Sequence, residues 1–329
     1  MSDISVKASF CSTIQRATIR ESWTAACRSF DVTTKDTLDD DVDIGDVCWV
    51  TMGDYVRPVD PLFPDTDWYQ LIGYIDSIQK DKASGTTQVS GRDILRRAVD
   101  KFLIVFSDDT GEFKTTGLDA SEEMRAILVA SGIPTGSIST SPTGFTFEAG
   151  VEFALMSAWD ALREICEIGQ WRVAADSSGG VVIGNGRIVA PAPSYTITDA
   201  GEILRASYSI TDNELINKVV VLGAAGVYAT AVDADSPIAW EKTAVISRNW
   251  IPDLVTAQAI ADDNLSYYNS LTEVGQITVA GHPELHVGVG IGITEAVGYE
   301  IGLNGNWLVY AVERTVDQSG MLSVLTLRR

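Results

Sequence analysis

Residues 156–184, MSAWDALREICEIGQWRVAADSSGGVVIG, constrain the fold most, because they predict a helix that ends just before a hairpin. Ser157 is a typical N-cap residue, and Asp160 follows three positions later, as in a capping box. Gly169 predicts a left-handed conformation that ends the helix. The apolar stripe expected along this helix consists of Ala158, Leu162, Ile165, Cys166 and Ile168.

A β-hairpin is predicted directly after this helix. Apolar and polar residues alternate over residues 171–175, a turn rich in Ser and Gly follows at 177–180, and apolar residues return at 181–183. Neither the helix nor the hairpin carries a pattern typical of catalysis. The segment therefore predicts a small packing unit.

The charge balance excludes several classes of partner. The 329 residues include 24 Lys and Arg against 45 Asp and Glu, which gives a net charge of -21. Such an acidic chain is not expected to bind nucleic acid by counterion release or to dock on anionic membranes. The longest weakly polar run, residues 219–232, is too short and too rich in Gly and Ala for a membrane span.

The cysteines and the N-terminus favour folding in a reducing cytoplasm. The four cysteines are scattered without the spacing of a zinc site, and we expect Cys27, Cys48 and Cys166 to be small core residues. The first ten residues, MSDISVKASF, lack the basic and apolar regions of a signal peptide.

The pattern along the chain predicts an α+β fold with three domains. Residues 1–91 are predicted to form a first β-barrel-like domain, residues 92–195 an inserted α/β domain, and residues 196–329 a second β-barrel-like domain. A helix near 252–271 is expected within the second β-barrel-like domain.

Local signals place the main elements within these domains. Strands are predicted at 23–32, 46–52, 69–79 and 217–223, and a final hairpin at 307–316 and 321–327. Further helices are predicted at 92–102 and at 119–131, the latter with Asp119 and Glu122 as a capping box and Gly132 after its end. A long loop is marked by Pro58, Pro61 and Pro64.

A faint internal repeat connects the two ends of the chain. GDVCWVT at 45–51 aligns with GVGIGIT at 288–294, and the interval from Tyr74 to Asp81 parallels that from Tyr310 to Asp317. Matches this short also arise by chance. If they reflect a duplication, two related β-domains flank the α/β insertion.

Two histidines are candidates for a zinc site. His282 and His286 stand four residues apart in HPELH, and on a helix that spacing could bind zinc. Pro283 and the alternation of apolar residues after it favour a turn and a strand instead, and no third ligand is evident. We therefore predict no metal and no cofactor.

The sequence gives only weak support for calcium binding, catalysis or carbohydrate binding. The acidic residues 39–41 with Asp43 lack the full spacing of a calcium loop, so a solvated loop is favoured. No phosphate-binding loop and no nucleophile motif is present, so no catalytic residue is predicted. Trp240 and Trp250 could form a platform for carbohydrate, although dispersed tryptophans are more typical of cores and interfaces.

Several segments, in their order along the chain, resemble the baseplate hub proteins of phage tails and of related contractile injection systems. The resemblance covers most of the chain. It is carried by IGYIDSIQ with VSGRDILRRAVD, by AWDALREICEIGQWRVAADSSGGVVIG, by NKVVVLG, by the helix near 252–271, by GHPELHVG and by the terminal VLTLRR.

The resemblance implies a structural protein and not an enzyme. It implies a homotrimeric ring that joins a sixfold tail tube to a threefold central spike and forms part of the DNA conduit. Its expected partners are the tail tube protein, the central spike protein and other baseplate proteins. It implies a location in the tail baseplate of the virion after assembly in the host cytoplasm.

Three alternatives remain open from the sequence. A virion-associated or secreted hydrolase of cell-wall glycan would need two carboxylates in one cleft. A carbohydrate-binding receptor module would use Trp240 and Trp250. A distal tail ring would differ from a hub in its number of copies.

Overall fold

The chain is described by a computed structural model. The model describes residues 6–35, 38, 42–52, 69–103, 112–114, 119–147, 152–176, 178–187, 191–198, 202–269, 272–282, 284–295 and 300–329. Some residues with predicted roles lie outside these ranges: the acidic residues 39–41, Pro58, Pro61, Pro64 and Pro283.

The fold is mainly β, so the predicted α+β class with an inserted α/β domain is wrong. Strands account for 47% and helices for 18% of the residues that the structure describes. Twelve strands from both ends of the chain form one largely antiparallel sheet. The error has a physical cause: local periodicity identifies single strands but not the pairing that joins strands almost 300 residues apart.

The strands are β1 Val6–Ala8, β2 Ile14–Ser22, β3 Ser29–Thr34, β4 Val47–Met52, β5 Tyr69–Asp81, β6 Thr86–Asp93, β7 Glu112–Lys114, β8 Ile138–Thr140, β9 Glu152–Ala154, β10 Trp171–Ala175, β11 Val181–Asn185, β12 Tyr195–Thr198, β13 Ile203–Thr211, β14 Lys218–Leu222, β15 Tyr228–Val232, β16 Thr243–Ser247, β17 Thr272–Ala280, β18 Gly290–Thr294, β19 Gly305–Asp317 and β20 Gly320–Arg328. The helices are α1 Arg96–Asp100, α2 Ala120–Ala130, α3 Ala158–Gly169 and α4 Leu254–Tyr268. None of these four helices combines the length and apolar character needed to cross a membrane.

The large sheet consists of two units with the same strand order. The N-terminal unit, β1 to β6, is ordered β1-β4-β5-β6-β3-β2. The C-terminal unit, formed by β12, β13 and β17 to β20, is ordered β12-β18-β19-β20-β17-β13. Each strand of one unit therefore has a counterpart in the other, taken in chain order. The units differ in the direction of one pairing, since β1 is antiparallel to β4 whereas β12 is parallel to β18. They also differ at the pairing of β4 with β5, which has a register shift that the pairing of β18 with β19 lacks.

Irregularities of the sheet recur at matching places in both units. The pairing of β2 with β3 shifts at Gln15, and that of β13 with β17 shifts at Leu204. The pairing of β5 with β6 shifts at Asp76, and that of β19 with β20 shifts at Tyr310. Because β-bulges fix the local bend and twist of a strand, two matched bulges support a common origin of the two units.

Two glycines anchor matching turns of the units. Gly45 and Gly288 have φ of 95° and 97°, a region that favours glycine. The Gly45 amide donates to the Ile75 carbonyl at 2.8 Å, and the Gly288 amide donates to the Val309 carbonyl at 2.9 Å. The aligned segments 45–51 and 288–294 thus have the same local structure.

The second half of the predicted repeat was misaligned by two residues. The hydrogen bonds match Ile75 with Val309, so Tyr74 corresponds to Leu308 and not to Tyr310. Asp81 and Asp317 each bond to the turn that follows them: the Asp81 carboxylate accepts from the Ala83 amide at 2.9 Å and that of Asp317 from the Ser319 amide at 2.7 Å. The second hairpin is therefore longer beyond its bulge. The turns differ in length, since Asp81 pairs with Thr86 whereas Asp317 pairs with Gly320.

Three hydrophobic clusters form the core. One lies around Phe30 and Leu71 of the N-terminal unit and also includes Val316 and Met321 of the C-terminal unit. Another lies within the C-terminal unit around Trp307 and Leu325. The third joins the four helices to the small sheets β10-β11-β8 and β15-β14-β16. The domain limits 1–91, 92–195 and 196–329 stay a prediction.

The local predictions had mixed outcomes. The Ser157 hydroxyl accepts from the Asp160 amide at 3.0 Å, which confirms that N-cap, and Asp119 caps α2 by accepting from the Ser121 amide at 2.9 Å. The left-handed residue after α3 is Gln170 and not Gly169. The hairpin predicted after α3 is confirmed as β10 and β11. The helix predicted at 92–102 is confined to α1, because its first residues belong to β6.

Candidate functional site at the junction of the two units

The junction consists of β2 of the N-terminal unit paired with the second half of β19 of the C-terminal unit. It makes the two units one continuous sheet. The pairs are Ser22 with Ala311, Glu21 with Val312, Arg20 with Glu313, Ile19 with Arg314, Thr18 with Thr315, Ala17 with Val316 and Arg16 with Asp317.

Strand alternation divides the junction into an inner and an outer face. On the inner face, Ala17 and Ile19 are fully buried. On the outer face, Arg20 Nε lies 3.3 Å from Glu313 Oε2, and the hydroxyls of Thr18 and Thr315 lie 3.2 Å apart. The inner face therefore provides the apolar packing, and the outer face adds polar cross-strand pairs.

A buried ion pair lies at the inner face. Arg314 Nη1 is 2.9 Å from Glu21 Oε1, and neither residue is more than 6% exposed. Burial by itself would raise the pKa of Glu21, but the proximity of His286 and the charges of Arg314 and Arg28 outweigh it and hold that pKa well below its usual range. We assign the larger part to Arg314, because His286 Nδ1 is 3.7 Å away.

The two histidines of HPELH have separate partners. His282 Nδ1 lies 3.0 Å from Glu284 Oε1, whereas His286 Nδ1 lies 3.7 Å from Glu21 and 3.5 Å from Arg314 Nη2. Within the described ranges, no cluster of three or more His, Cys, Asp or Glu has the arrangement of a metal site. Only His286 therefore lies beside the buried ion pair, and His282 belongs to a separate contact.

A cavity of about 340 Å³, lined by apolar and charged residues, opens beside the junction. Arg28 Nε lies 3.3 Å from Asp93 Oδ2 in its wall, and burial raises the pKa of the Asp93 carboxyl. The Arg172 guanidinium lies 4.1 Å from the centre of the Trp23 ring, and burial lowers the pKa of Arg172 to about 10. These charges tie the loop after β2 to β6 and to β10.

The other candidate residues lie apart from the junction. Trp240 is 59% exposed, whereas Trp250 is 9% exposed and packs against Phe147 with ring centroids 5.0 Å apart. Trp250 therefore cannot form an exposed platform with Trp240. Burial raises the pKa of the thiols of Cys48 and Cys166 to about 12, which keeps them protonated and poorly nucleophilic.

The sequence pattern did not predict β2, the strand that forms the junction. The strand predicted at 23–32 is confirmed only in its last part, since β3 begins at Ser29 and residues 23–28 form the loop between β2 and β3. A signal was present, since Ala17 and Ile19 alternate with Arg16, Thr18 and Arg20. Glu21 at the next inward position interrupted that signal, because its burial depends on Arg314 from the far end of the chain.

Comparison with known proteins gives structural matches only. No family model matches the sequence, and no curated protein matches it. A tail protein from Neisseria meningitidis superposes with a TM-score of 0.73 at 17% identity, covering 99% of this chain and 96% of that one. The 43 kDa tail protein of prophage MuSo2 from Shewanella oneidensis gives 0.69 at 15% identity, covering 98% and 97%.

A third match comes from a secretion system. It is an Escherichia coli component of the type VI secretion system, described as structurally similar to the T4 bacteriophage tail proteins gp27 and gp5. It superposes with a TM-score of 0.59 at 8% identity, covering 98% of this chain and 76% of that one. Because these matches span nearly the whole chain, they include both units and the region between them. The chain has the fold of phage tail proteins.

Proposed function

We propose that this protein is the structural hub of a phage tail baseplate, a homotrimeric ring between the sixfold tail tube and the threefold central spike. The observation that carries the proposal is the repetition of one six-strand unit within the chain, with its strand order and bulges retained. The shared fold with tail proteins gives it context.

The repeat provides a simple solution to a symmetry mismatch. Three copies of a chain with two similar units present six similar units to one side of a ring. The helices and small sheets occur once per chain, so they present a threefold pattern. A closed ring of this kind can bind a hexameric tube on one face and a trimeric spike on the other.

The acidic charge suits a conduit for DNA. A net charge of -21 per chain repels a polyanion, so DNA would pass a negatively charged lumen without binding. In this role the protein binds the tail tube, the central spike and other baseplate proteins, and it catalyses no reaction. Its place is the virion tail, after assembly in the host cytoplasm.

Electron microscopy of intact tails tests this role. A hub is expected as three copies between tube and spike. Six copies at that level would instead identify a distal tail ring. Peptidoglycan cleavage that is lost on mutating a single carboxylate would overturn the structural role in favour of a hydrolase.

A further inference from the structure

The two units differ in what covers their last strand. In the N-terminal unit, β2 pairs with β3 on one side and with β19 on the other. Its counterpart in the C-terminal unit, β13, pairs with β17 alone among the described strands. One edge of a nine-residue strand thus remains open, and such an edge is a template for pairing with another chain.

The exposure of side chains also differs between β2 and its counterpart β13. The strand registers of the two units show which residues are structurally equivalent. Ala17 corresponds to Ala206, Ile19 to Tyr208 and Glu21 to Ile210. Ala17 and Ile19 are fully buried, whereas Ala206 is exposed and Ile210 is 56% exposed. Ala206 is paired with Ile277, which is fully buried, so this face of β13 extends the inner face of the sheet.

A matching open edge exists in the N-terminal unit. The counterpart of β19 is β5, whose first half pairs with β4 at residues 69–74. The second half, Ser77 to Asp81, pairs with β6 alone among the described strands. In β19 the corresponding half is the part that β2 covers. Each chain therefore contains one paired junction, β2 with β19. It also has two open strand edges, on β13 and on the second half of β5, that could form an equivalent junction.

We infer that β13 of one copy pairs with the second half of β5 of the next copy and so repeats the internal junction between β2 and β19. The inference rests on the proposed trimer, and it specifies the surface that closes it. Transfer of the internal register predicts the pairs Thr211 with Ser77, Ile210 with Ile78, Ser209 with Gln79, Tyr208 with Lys80 and Ser207 with Asp81.

The predicted pairs are chemically compatible. Ile210 would lie opposite Ile78, an apolar pair at the place where the internal junction has Glu21 opposite Val312. Lys80 would lie opposite Tyr208, whose hydroxyl donates to Glu273 Oε2 at 2.9 Å, so a carboxylate is close to the lysine. On the outer face, Ser209 and Gln79 would replace the pair of Arg20 and Glu313.

Disulfide trapping tests the pairing at the level of register. Directly opposite residues on adjacent strands bring their Cα atoms within the range of a disulfide, whereas a shift by two residues exceeds about 7 Å. The full-length variant Ser209→Cys with Gln79→Cys is expected to give, on oxidation, covalent species of up to three chains, at least about tenfold above background. The controls are both single variants and Ser209→Cys with Asp81→Cys, the shifted pair.

A second variant tests the same edge without a cross-link. Ile210→Lys places a charge on the inner face and is expected to weaken self-association at least about tenfold by analytical ultracentrifugation. Val232→Lys on β15 is the matched control, since Val232 is 61% exposed and lies on another edge strand. It is expected to leave association unchanged.

The outcomes separate this inference from the proposed function. A trimer whose Ser209 and Gln79 cysteines cross-link no more than the shifted pair, and which tolerates Ile210→Lys, would overturn the interface and leave the hub intact. A chain that stays monomeric at every concentration tested, with no cross-link above the single variants, would overturn both.

Discussion

The two units of the large sheet have the same architecture but different side chains in equivalent places. The row Ile75, Gly91, Phe30 and Ile19 crosses the N-terminal unit, and the equivalent row of the C-terminal unit is Val309, Leu327, Gly275 and Tyr208. Both rows contain a glycine beside a large residue, but in opposite order: Gly91 precedes Phe30 in one row, and Leu327 precedes Gly275 in the other.

This exchange shows how a duplicated sheet can keep its shape while its sequence diverges. A Cβ at Gly91 would lie 2.6 Å from the Phe30 ring, and a Cβ at Gly275 would lie 2.6 Å from the Leu303 side chain. Each unit therefore fills its interior at a different strand, and the close packing of the core determines which residue must be small.

The largest effect on stability is expected from the buried ion pair of Glu21 and Arg314, compared with the exposed pair of Arg20 and Glu313. Glu21→Gln leaves the Arg314 guanidinium buried without a counterion, so we expect a loss of about 3–5 kcal/mol in the free energy of unfolding. Glu313→Gln removes the exposed partner of Arg20, and its loss is expected to stay below about 1 kcal/mol. Urea unfolding measures both. Equal losses would contradict the central role of the buried pair.

The pH dependence of the same variants sharpens this comparison. Because the pKa of Glu21 is lower in the folded than in the unfolded protein, its contribution is fully present above the ordinary glutamate pKa of about 4.3. That contribution is lost as the pH falls through the folded pKa. The difference between wild type and Glu21→Gln should therefore be constant above about pH 5 and narrow in stronger acid. A difference independent of pH would exclude the charge as its cause.

A smaller effect is expected from the interior of the N-terminal unit. Gly91→Ala places a Cβ against the Phe30 ring and the Tyr74 carbonyl, and overpacking of this kind costs about 2–3 kcal/mol. Gly184→Ala in β11 is the control, since a Cβ there meets nothing within 4 Å and its φ is not positive. It is expected to be neutral or slightly stabilising. Thermal unfolding that ranks the two variants in the reverse order would contradict the packing described here.

The matched turns of the two units are expected to respond alike. Gly45→Ala and Gly288→Ala each place an alanine at a positive φ near 95°, at a cost of about 1–2 kcal/mol. A Cβ at either position meets no atom closer than 3.6 Å, so the backbone alone sets the effect. Denaturant midpoints of the two variants should agree within error. A large loss in one and none in the other would argue against equivalent turns.

The smallest effect concerns the turn before β18. The hydrogen bond to Glu284 raises the pKa of His282, so its contribution to stability is present below the ordinary histidine pKa of about 6.5 and is lost as the pH rises through the folded value. Since the pair is partly exposed, we expect less than about 0.5 kcal/mol. Glu284→Gln should flatten this part of the stability profile, as measured by unfolding between pH 5 and about 8. If Glu284→Gln leaves the pH dependence of stability unchanged, the pair of His282 and Glu284 does not contribute to it.

Local chemistry predicted the local elements well. The N-cap at Ser157, the hairpin of β10 and β11 and the final hairpin of β19 and β20 all follow from short-range patterns. Gly169 shows the limit of such patterns. Glycine is present there because a Cβ would collide with the Trp171 ring, while Gln170 takes the left-handed conformation and donates to Asn264 Oδ1 at 2.7 Å.

The junction and the fold class could not be read from the sequence in the same way. Both depend on β2 pairing with β19, and the contact that makes Glu21 an inward-facing residue comes from Arg314, 293 residues away. The repeat was visible in part, at Gly45 and Gly288. The rest of it lies in strand order and bulges, which leave almost no trace in residue identity.

The most direct test of the account is an electron microscopy reconstruction of the assembled protein. We predict three copies of the 35.4 kDa chain in a closed ring, with six similar units and with β13 of each copy paired to β5 of the next. A ring of six copies, or a lone copy whose β13 edge faces solvent, would contradict it.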